Sequence, residues 1–356
     1  MLTVLRSLNT VIVKELDITE FRGIRKLVKP LELGGFNVLI GRNNVGKTAI
    51  LEALYMLAMP YATTIPPYGK EVREFIATSH GGPSSLIYGY AGNAVLKYGL
   101  KEATRIGFTE VPTSSAKEIF VKKVEVKIAR HSIVKVLFNS REANYNDYLE
   151  FLKSLNASLE RDIIALYIPN NSEAYAKLHS YVMRDEVLSW IEKEGLHRRV
   201  VRAIIAPTVY DKFTEVTLKK NRLCVRKEVS EDIGPLYVDI DSLGEGVKRI
   251  LLTYLAVEYF RPKILLWDDL EVAAHPSLLE STLKWLASSG RQVIISTHSL
   301  DVLHSLTLVK PKDCKIIVLK KSSEDIVDYH ILTLDEVEEL LGSGIDVRKI
   351  VEELKL

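Results

Sequence analysis

Gly41-Arg42-Asn43-Asn44-Val45-Gly46-Lys47-Thr48 limits this chain more than any other stretch. It reads G-x-x-x-x-G-K-T, between the apolar run Phe36-Asn37-Val38-Leu39-Ile40 and the helix-forming run Ala49-Ile50-Leu51-Glu52-Ala53-Leu54. A buried strand, a glycine-rich turn and a helix in that order make a P-loop. Gly41 and Gly46 let backbone N–H groups from Arg42, Asn43, Asn44 and Val45 through Ala49 turn inward as an anion nest, and the opening helix adds the positive end of its dipole. Lys47 then supplies a point charge for outer phosphates, and the Thr48 hydroxyl a ligand for Mg²⁺.

Composition narrows what such a loop can serve. With 47% hydrophobic residues over 356 positions and a mean hydropathy of +0.06, the chain can bury a sizeable core in one or two domains. Its 48 Lys and Arg against 46 Asp and Glu leave a net charge of +2, so any case for nucleic acid must be local. Cys224 and Cys314 stand far apart without C-x-x-C spacing, which excludes a zinc knuckle or a disulfide framework and reads as two buried thiols in a reducing compartment. Met1–Arg6 lacks the apolar core of a leader, and no run reaches about 18 apolar residues, so a soluble, cytoplasmic protein with no membrane association is expected. Gln292 is the only glutamine, while Lys, Glu, Ile, Val and Tyr are plentiful, a bias like that of thermophile proteins.

Before the P-loop, Val11–Ile18 alternates as a strand into the turn Thr19-Glu20-Phe21-Arg22-Gly23-Ile24, and Lys29–Leu33 gives a second strand before Gly34-Gly35. Residues 61–95 carry Pro66-Pro67, Gly81-Gly82-Pro83 and Gly89 and read as loop with short helices. Three alternating runs, Ala94–Leu100, Thr104–Thr109 and Ile119–Phe138, predict an antiparallel meander. The period then changes. Tyr148, Leu152, Leu155 and Leu159 share one helical face, and Tyr175, Leu178 and Val182, then Leu188 and Ile191, another, so 145–206 is expected to be a helical insertion. Thr214–Lys220 and Arg222–Glu228 around Asn221 predict a hairpin. Between 196 and 229, nine Lys or Arg stand against three acids. The bland reading is a solvated hairpin and helix end; the competing one is a surface that tracks nucleic-acid phosphates. After 240, strands and helices alternate as in a parallel sheet covered on both faces.

A nucleotide loop needs an acidic residue from another buried strand, and Lys263-Ile264-Leu265-Leu266-Trp267-Asp268-Asp269 offers two. Asp268 suits Mg²⁺, and Asp269 suits orienting and deprotonating a water, although strand-end Asp pairs also serve as helix caps. Gln292-Val293-Ile294-Ile295 ends at Ser296-Thr297-His298-Ser299, where His298 can report a terminal phosphate or sit in an ordinary capping region. His275, before Pro276, reads as structural. Asp241-Ser242-Leu243-Gly244-Glu245-Gly246 opens an apolar helix and is a second helix start able to receive phosphate.

The order of Phe21-Arg22-Gly23, Gly41–Thr48, Ser242-Leu243-Gly244-Glu245, Leu265-Leu266-Trp267-Asp268-Asp269-Leu270-Glu271, His275-Pro276 and Ser296-Thr297-His298-Ser299 resembles the ABC-type P-loop ATPases of the RecF, structural-maintenance-of-chromosomes (SMC) and OLD (overcoming lysogenization defect) group. The likeness covers about 1–60 and 235–305. It implies an α/β head with a mixed sheet, an antiparallel β lobe and a helical insertion, with 1–144 and 207–356 as the head and 145–206 as the inserted lobe. It further implies ATP and Mg²⁺ as ligands, Arg22 and Gly41–Ala49 at the nucleotide, Thr48 and Asp268 at the metal, and Lys47, Asp269 and His298 in catalysis. Ser242 and Gly244 match the signature that meets the nucleotide of a second subunit, which implies a homodimer closed on ATP. Three departures stand out: Asp269 where the group carries Glu, Leu270 where it carries Pro, and no glutamine between the P-loop and the signature. Hydrolysis is therefore expected to be slow, serving a DNA-linked system such as repair or antiviral defence with a separate nuclease or effector subunit. The stretch after His298 is shorter than the nuclease module that the longer OLD proteins append, so nuclease activity is not expected of this chain. Two other classes compete: a nucleotide-sensing scaffold that does not hydrolyse, and a transporter-type ATPase subunit. GTP is disfavoured because no N-K-x-D motif is present.

Overall fold

The computed structural model describes residues 10–109, 116–129 and 134–350; the leader reading at Met1–Arg6 and part of the third alternating run lie outside them. The chain starts with β1 (Val13–Phe21), β2 (Ile24–Leu27), β3 (Leu31–Glu32) and β4 (Phe36–Ile40), then α1 (Lys47–Tyr55). A small ribbon, β5 (Thr64–Ile65) with β6 (Lys70–Glu71), and α2 (Val72–Thr78) follow in the irregular region. The antiparallel lobe is β7 (Asn93–Thr109), β8 (Ala116–Ala129), β9 (Val134–Phe138) and β10 (Arg141–Ala143). The two runs expected at 94–100 and 104–109 form the single strand β7, with a register shift against β8 between Gly99 and Thr104. Next come α3 (Tyr145–Ser154), β11 (Ala165–Ile168), α4 (Ser172–Val182), α5 (Asp185–Lys193) and α6 (Leu196–Val200). The three-stranded sheet β12 (Phe213–Lys219), β13 (Arg222–Lys227) and β14 (Leu236–Asp239) contains the expected hairpin, with Lys220 and Asn221 both at positive φ as a two-residue hairpin turn requires. The last part is α7 (Glu245–Phe260), β15 (Ile264–Trp267), α8 (Pro276–Ala287), β16 (Gln292–Ser296), α9 (Leu300–Val309), β17 (Cys314–Lys321), β18 (Ile326–Leu332) and α10 (Leu334–Gly342).

Among the described residues one 13-stranded mixed sheet runs β10-β9-β8-β7-β1-β2-β18-β17-β4-β16-β15-β11, with β3 on β1. Strands β17, β4, β16, β15 and β11 are mutually parallel, so their carboxyl ends share one edge, where open α/β sheets bind ligands. The segment expected as purely helical supplies β11: Ala165-Leu166-Tyr167-Ile168 is buried throughout, and so short an apolar run has no period to separate strand from helix. α1 is buried on nearly every side, its apolar residues interrupted only by Lys47, Thr48 and Glu52. Tyr98 of β7 donates to Ala53 O at 2.5 Å and Tyr148 of α3 to Leu57 O at 2.5 Å, so the antiparallel lobe holds the P-loop helix and α3 holds the turn just after it.

The lone glutamine is wholly buried at the start of β16. Its Oε1 accepts from Ile12 N and Val13 N, both at 3.0 Å, and its Nε2 donates to Val13 O at 2.7 Å and Gly34 O at 3.0 Å. Gln292 thereby pins the beginning of β1 to the parallel core. Both cysteines are free; Cys224 is buried, whereas Cys314 is only half-buried as a residue, although burial pushes its thiol up. Among the described residues no helix is long and apolar enough to cross a membrane.

Candidate functional site

The loop after β4 has the conformation its glycines allow. Gly41 and Gly46 sit at φ +146 and +111, and a Cβ on Gly41 would lie 2.8 Å from Leu319 O. Asn44 between them is also at positive φ. The first turn of α1 leaves its N–H groups without helical acceptors, so they face the loop as donors. Lys47 is 6% exposed, and its Nζ donates to Gly41 O at 3.0 Å and Arg42 O at 3.1 Å. Burial lowers its pKa, against the opposing charges of Asp269, Asp268 and Glu271.

Asp268 leaves the end of β15 and is 7% exposed. Its Oδ2 accepts from Thr48 Oγ1 at 2.8 Å and from Tyr167 Oη at 3.4 Å, and its Oδ1 accepts from Ser296 Oγ at 2.5 Å. Burial pushes this carboxyl up to about 6, with the Asp269 charge adding to it, while the Ser296 and Thr48 hydroxyls oppose. Two groups expected at a metal are thus in direct contact, and a buried lysine beside them lacks a carboxylate within ion-pair distance among the described residues. That arrangement fits a nucleotide with Mg²⁺: Thr48 and Asp268 would hold the ion from the protein side, leaving the rest of its shell to phosphate oxygens and water.

Asp269 turns sharply, at φ +47, and its N–H donates to Ser296 Oγ at 2.8 Å. Asn170, two residues past β11, donates from Nδ2 to Asp269 Oδ2 at 3.2 Å and accepts from Arg249 Nη1 at 2.9 Å. His298 Nε2 lies 4.0 Å from Asp269 Oδ1. The His298 N–H donates to Glu271 Oε1 at 2.7 Å, and its carbonyl accepts from Arg348 Nη1 at 2.7 Å, so its loop is held from both sides. Burial lowers the His298 pKa and the Lys47 charge adds, which favours the neutral ring. Beside the P-loop tip lies a cavity of about 350 Å³ lined by Arg42, Asn43, Asn44, Val45, Leu319, Lys320, Lys321 and Arg348.

Arg22 has a partner of its own. Its Nη1 donates to Glu52 Oε2 at 2.5 Å, one turn along α1 from Thr48, and His80 Nε2 lies 2.8 Å from Glu52 Oε1. Ser242 and Gly244 are exposed just ahead of α7, and no hydrogen bond joins them to Gly41–Thr48 within the described chain. His275 caps α8 by accepting from Ser277 N. Four of the nine basic residues of that stretch are paired with nearby acids: Arg198 with Glu215, Arg222 with Asp239, Arg226 with Glu228 and Lys227 with Asp211. Sequence reading missed Asn170, Ser296 as a ligand of both aspartates, Glu52, Arg249 and Arg348; of these only Ser296, at the end of an apolar strand, carried a signal.

The fold has counterparts among solved structures. An SMC head bound to the C-terminal winged-helix domain of ScpA superposes with a TM-score of 0.59 at 15% identity, covering 91% of this chain and 99% of that one. An SMC head from Pyrococcus furiosus, bound to the C-terminal domain of ScpA, gives 0.57 at 12% identity over 94% and 100%. The SMC head from Thermotoga maritima gives 0.52 at 13% identity over 90% and 99%. At such identities the likeness is one of fold. No curated relative matches the sequence. Residues 36–304 match the family described as "AAA domain, putative AbiEii toxin, Type IV TA system". With that span running from the P-loop strand past His298, the chain belongs to this AAA-domain family and carries the fold of the SMC head.

Proposed function

We propose that the chain binds and slowly hydrolyses ATP, as a homodimer closed around two nucleotides, in a DNA-linked process such as repair or antiviral defence with a partner protein. The observation that carries the reading is the 2.8 Å contact between Thr48 Oγ1 and Asp268 Oδ2 under the buried Lys47. Gly41–Ala49 cradle the phosphates, Lys47 balances their charge, and the cavity at Arg42–Val45 takes the nucleoside end. Mg²⁺, when bound, neutralises charge developing on the phosphates. Asp269 orients the water and takes its proton, and neutral His298 donates to the terminal phosphate. Exposed Ser242 and Gly244 are free to meet the nucleotide of a second copy. The DNA-linked part leans on the resemblance to the RecF, SMC and OLD group and on no residue of this chain; the partner protein leans on the ScpA domains bound to two of the SMC heads.

A scaffold that senses ATP without hydrolysing it is the second reading, favoured by the shorter Asp269. Phosphate release from Mg²⁺-ATP, with and without DNA, separates the two when light scattering follows oligomeric state in the same samples. Turnover by wild type, loss of ATP binding in Lys47→Ala and a trapped dimer in Asp269→Asn support the hydrolytic reading. ATP binding without release or dimers leaves the scaffold.

A further inference from the structure

We infer that Arg249 is a positioning residue that acts through Asn170 to aim the Asp269 carboxylate, so that helix α7 controls the hydrolytic base. The inference rests on the ATPase reading and deepens it. Arg249 lies on α7, five residues beyond Gly244. Its guanidinium is fixed three ways: Nε donates to Glu245 Oε1 at 3.0 Å, Nη1 donates to Asn170 Oδ1 at 2.9 Å, and the plane lies over the Tyr175 ring at 4.7 Å. A guanidinium can only donate, so it selects the oxygen end of the Asn170 amide. The NH₂ end must then face Asp269, where it donates at 3.2 Å. Were the amide reversed, an oxygen would confront a carboxylate. The neutral amide also separates the cation from the base: Arg249 orients Asp269 without pairing with it, which would draw off the charge that makes it a base.

The opposite face of Asp269 is set by the protein core, since its own N–H is held by Ser296 Oγ at 2.8 Å. The residue therefore has one fixed hinge, a longer approach from His298 Nε2 at 4.0 Å and one adjustable hydrogen bond. The adjustable one belongs to the helix that begins at Ser242-Leu243-Gly244. A nucleotide presented by a second copy moves that helix start, and the displacement reaches Asp269 through Arg249 and Asn170 within about two helical turns. Base alignment is thus conditional on dimer closure.

The test is steady-state ATP hydrolysis and equilibrium ATP binding for Arg249→Met, which keeps an apolar stem over Tyr175, for Arg249→Lys, Asn170→Ala, and the double variant Arg249→Met with Asn170→Ala. Each single variant is expected to lose about 10- to 100-fold in kcat, as small misplacements of a catalytic group do, with ATP affinity and ATP-dependent dimerisation within twofold of wild type. Arg249→Lys should recover part of the loss, and the double variant should match Asn170→Ala, because the two residues act in series. Multiplicative losses in the double, an unchanged kcat in Arg249→Met, or a parallel loss of ATP affinity overturns the inference. Asn170→Asp covers the case of misfolding: it is isosteric, keeps Arg249 engaged and sets a second carboxylate against Asp269. Its kcat should fall at least 10-fold with binding intact, and an unchanged kcat overturns the inference. Should wild type fail to turn over, the ATPase reading fails first; a wild type that turns over, is stopped by Asp269→Asn and is indifferent to Arg249 overturns the relay alone.

Discussion

Two glycines in the signature segment should respond differently to the same substitution. A Cβ built on Gly246 would lie 2.1 Å from Ala273 O, 2.7 Å from Ala273 C and 2.9 Å from Ala274 Cα. All three are backbone atoms of the loop after Asp269, so no side chain can swing aside. Restoring ordinary contact, near ~3.5 Å, needs a relative shift of roughly 1 Å or more between the start of α7 and that loop. Overpacking of this kind costs about 1–3 kcal/mol. In a protein of this size that lowers Tm by roughly 10 °C at most, so Gly246→Ala should still fold. A shift of about 1 Å at a catalytic constellation is worth about 10²-fold in rate, and kcat should fall accordingly. Gly244, two residues earlier, is different: a Cβ there meets nothing within 4 Å, and its φ of −58 suits any residue. Gly244→Ala should leave Tm unchanged, within about 0.5 kcal/mol of stability, and act only on ATP-dependent dimerisation. Thermal melts, phosphate release and light scattering on both variants decide the matter. Turnover in Gly246→Ala within threefold of wild type, or equal losses of Tm in the two, would refute the reasoning.

Three further outcomes are expected. Arg22→Ala strands the buried Glu52 carboxylate with His80 as its remaining partner; stability should drop by about 3 kcal/mol, and adding Glu52→Gln should restore most of it, which denaturant melts of the single and double variants will read. Gln292→Leu removes both partners of the Val13 backbone and should cost about 2–5 kcal/mol, with faster hydrogen exchange confined at first to the start of β1; uniform exchange throughout would contradict the pinning role. Chelating Mg²⁺ should stop phosphate release while leaving measurable, weaker nucleotide binding, since Lys47 and the loop amides do not depend on the ion; turnover that persists in excess chelator would remove Thr48 and Asp268 from the metal.

The features visible in the sequence share one cause. P-loop, Asp268 and Ser296–His298 each end an apolar run with polar residues, because a buried parallel strand must stay apolar until it reaches the edge where ligands bind. The hairpin at Asn221 was visible because its turn demands positive φ. Asn170 was hidden because Pro169-Asn170-Asn171-Ser172 reads as a helix start; Asn171 does cap α4, accepting from Ala174 N at 2.8 Å, while its neighbour reaches the site. Gly246 looked like a loose helix opening and is a packing constraint instead. The pairings of the basic stretch were equally hidden, because Asp239 and Glu215 become partners only when β12, β13 and β14 align.

The sheet order also fixes when the site can come into being. Phe36 in β4 pairs with Val293 on one side and Cys314 on the other, 257 and 278 positions later in the chain. During synthesis the antiparallel strands around β1 and β7 find partners early, whereas β4 waits as a fully buried-type segment with both edges open. Such long-range pairing is slow and exposes a sticky strand in the interim. On the proposed ATP-binding reading the site is completed late: a chain shortened before β16 and β17 carries the whole Gly41–Thr48 motif without the strands that flank β4.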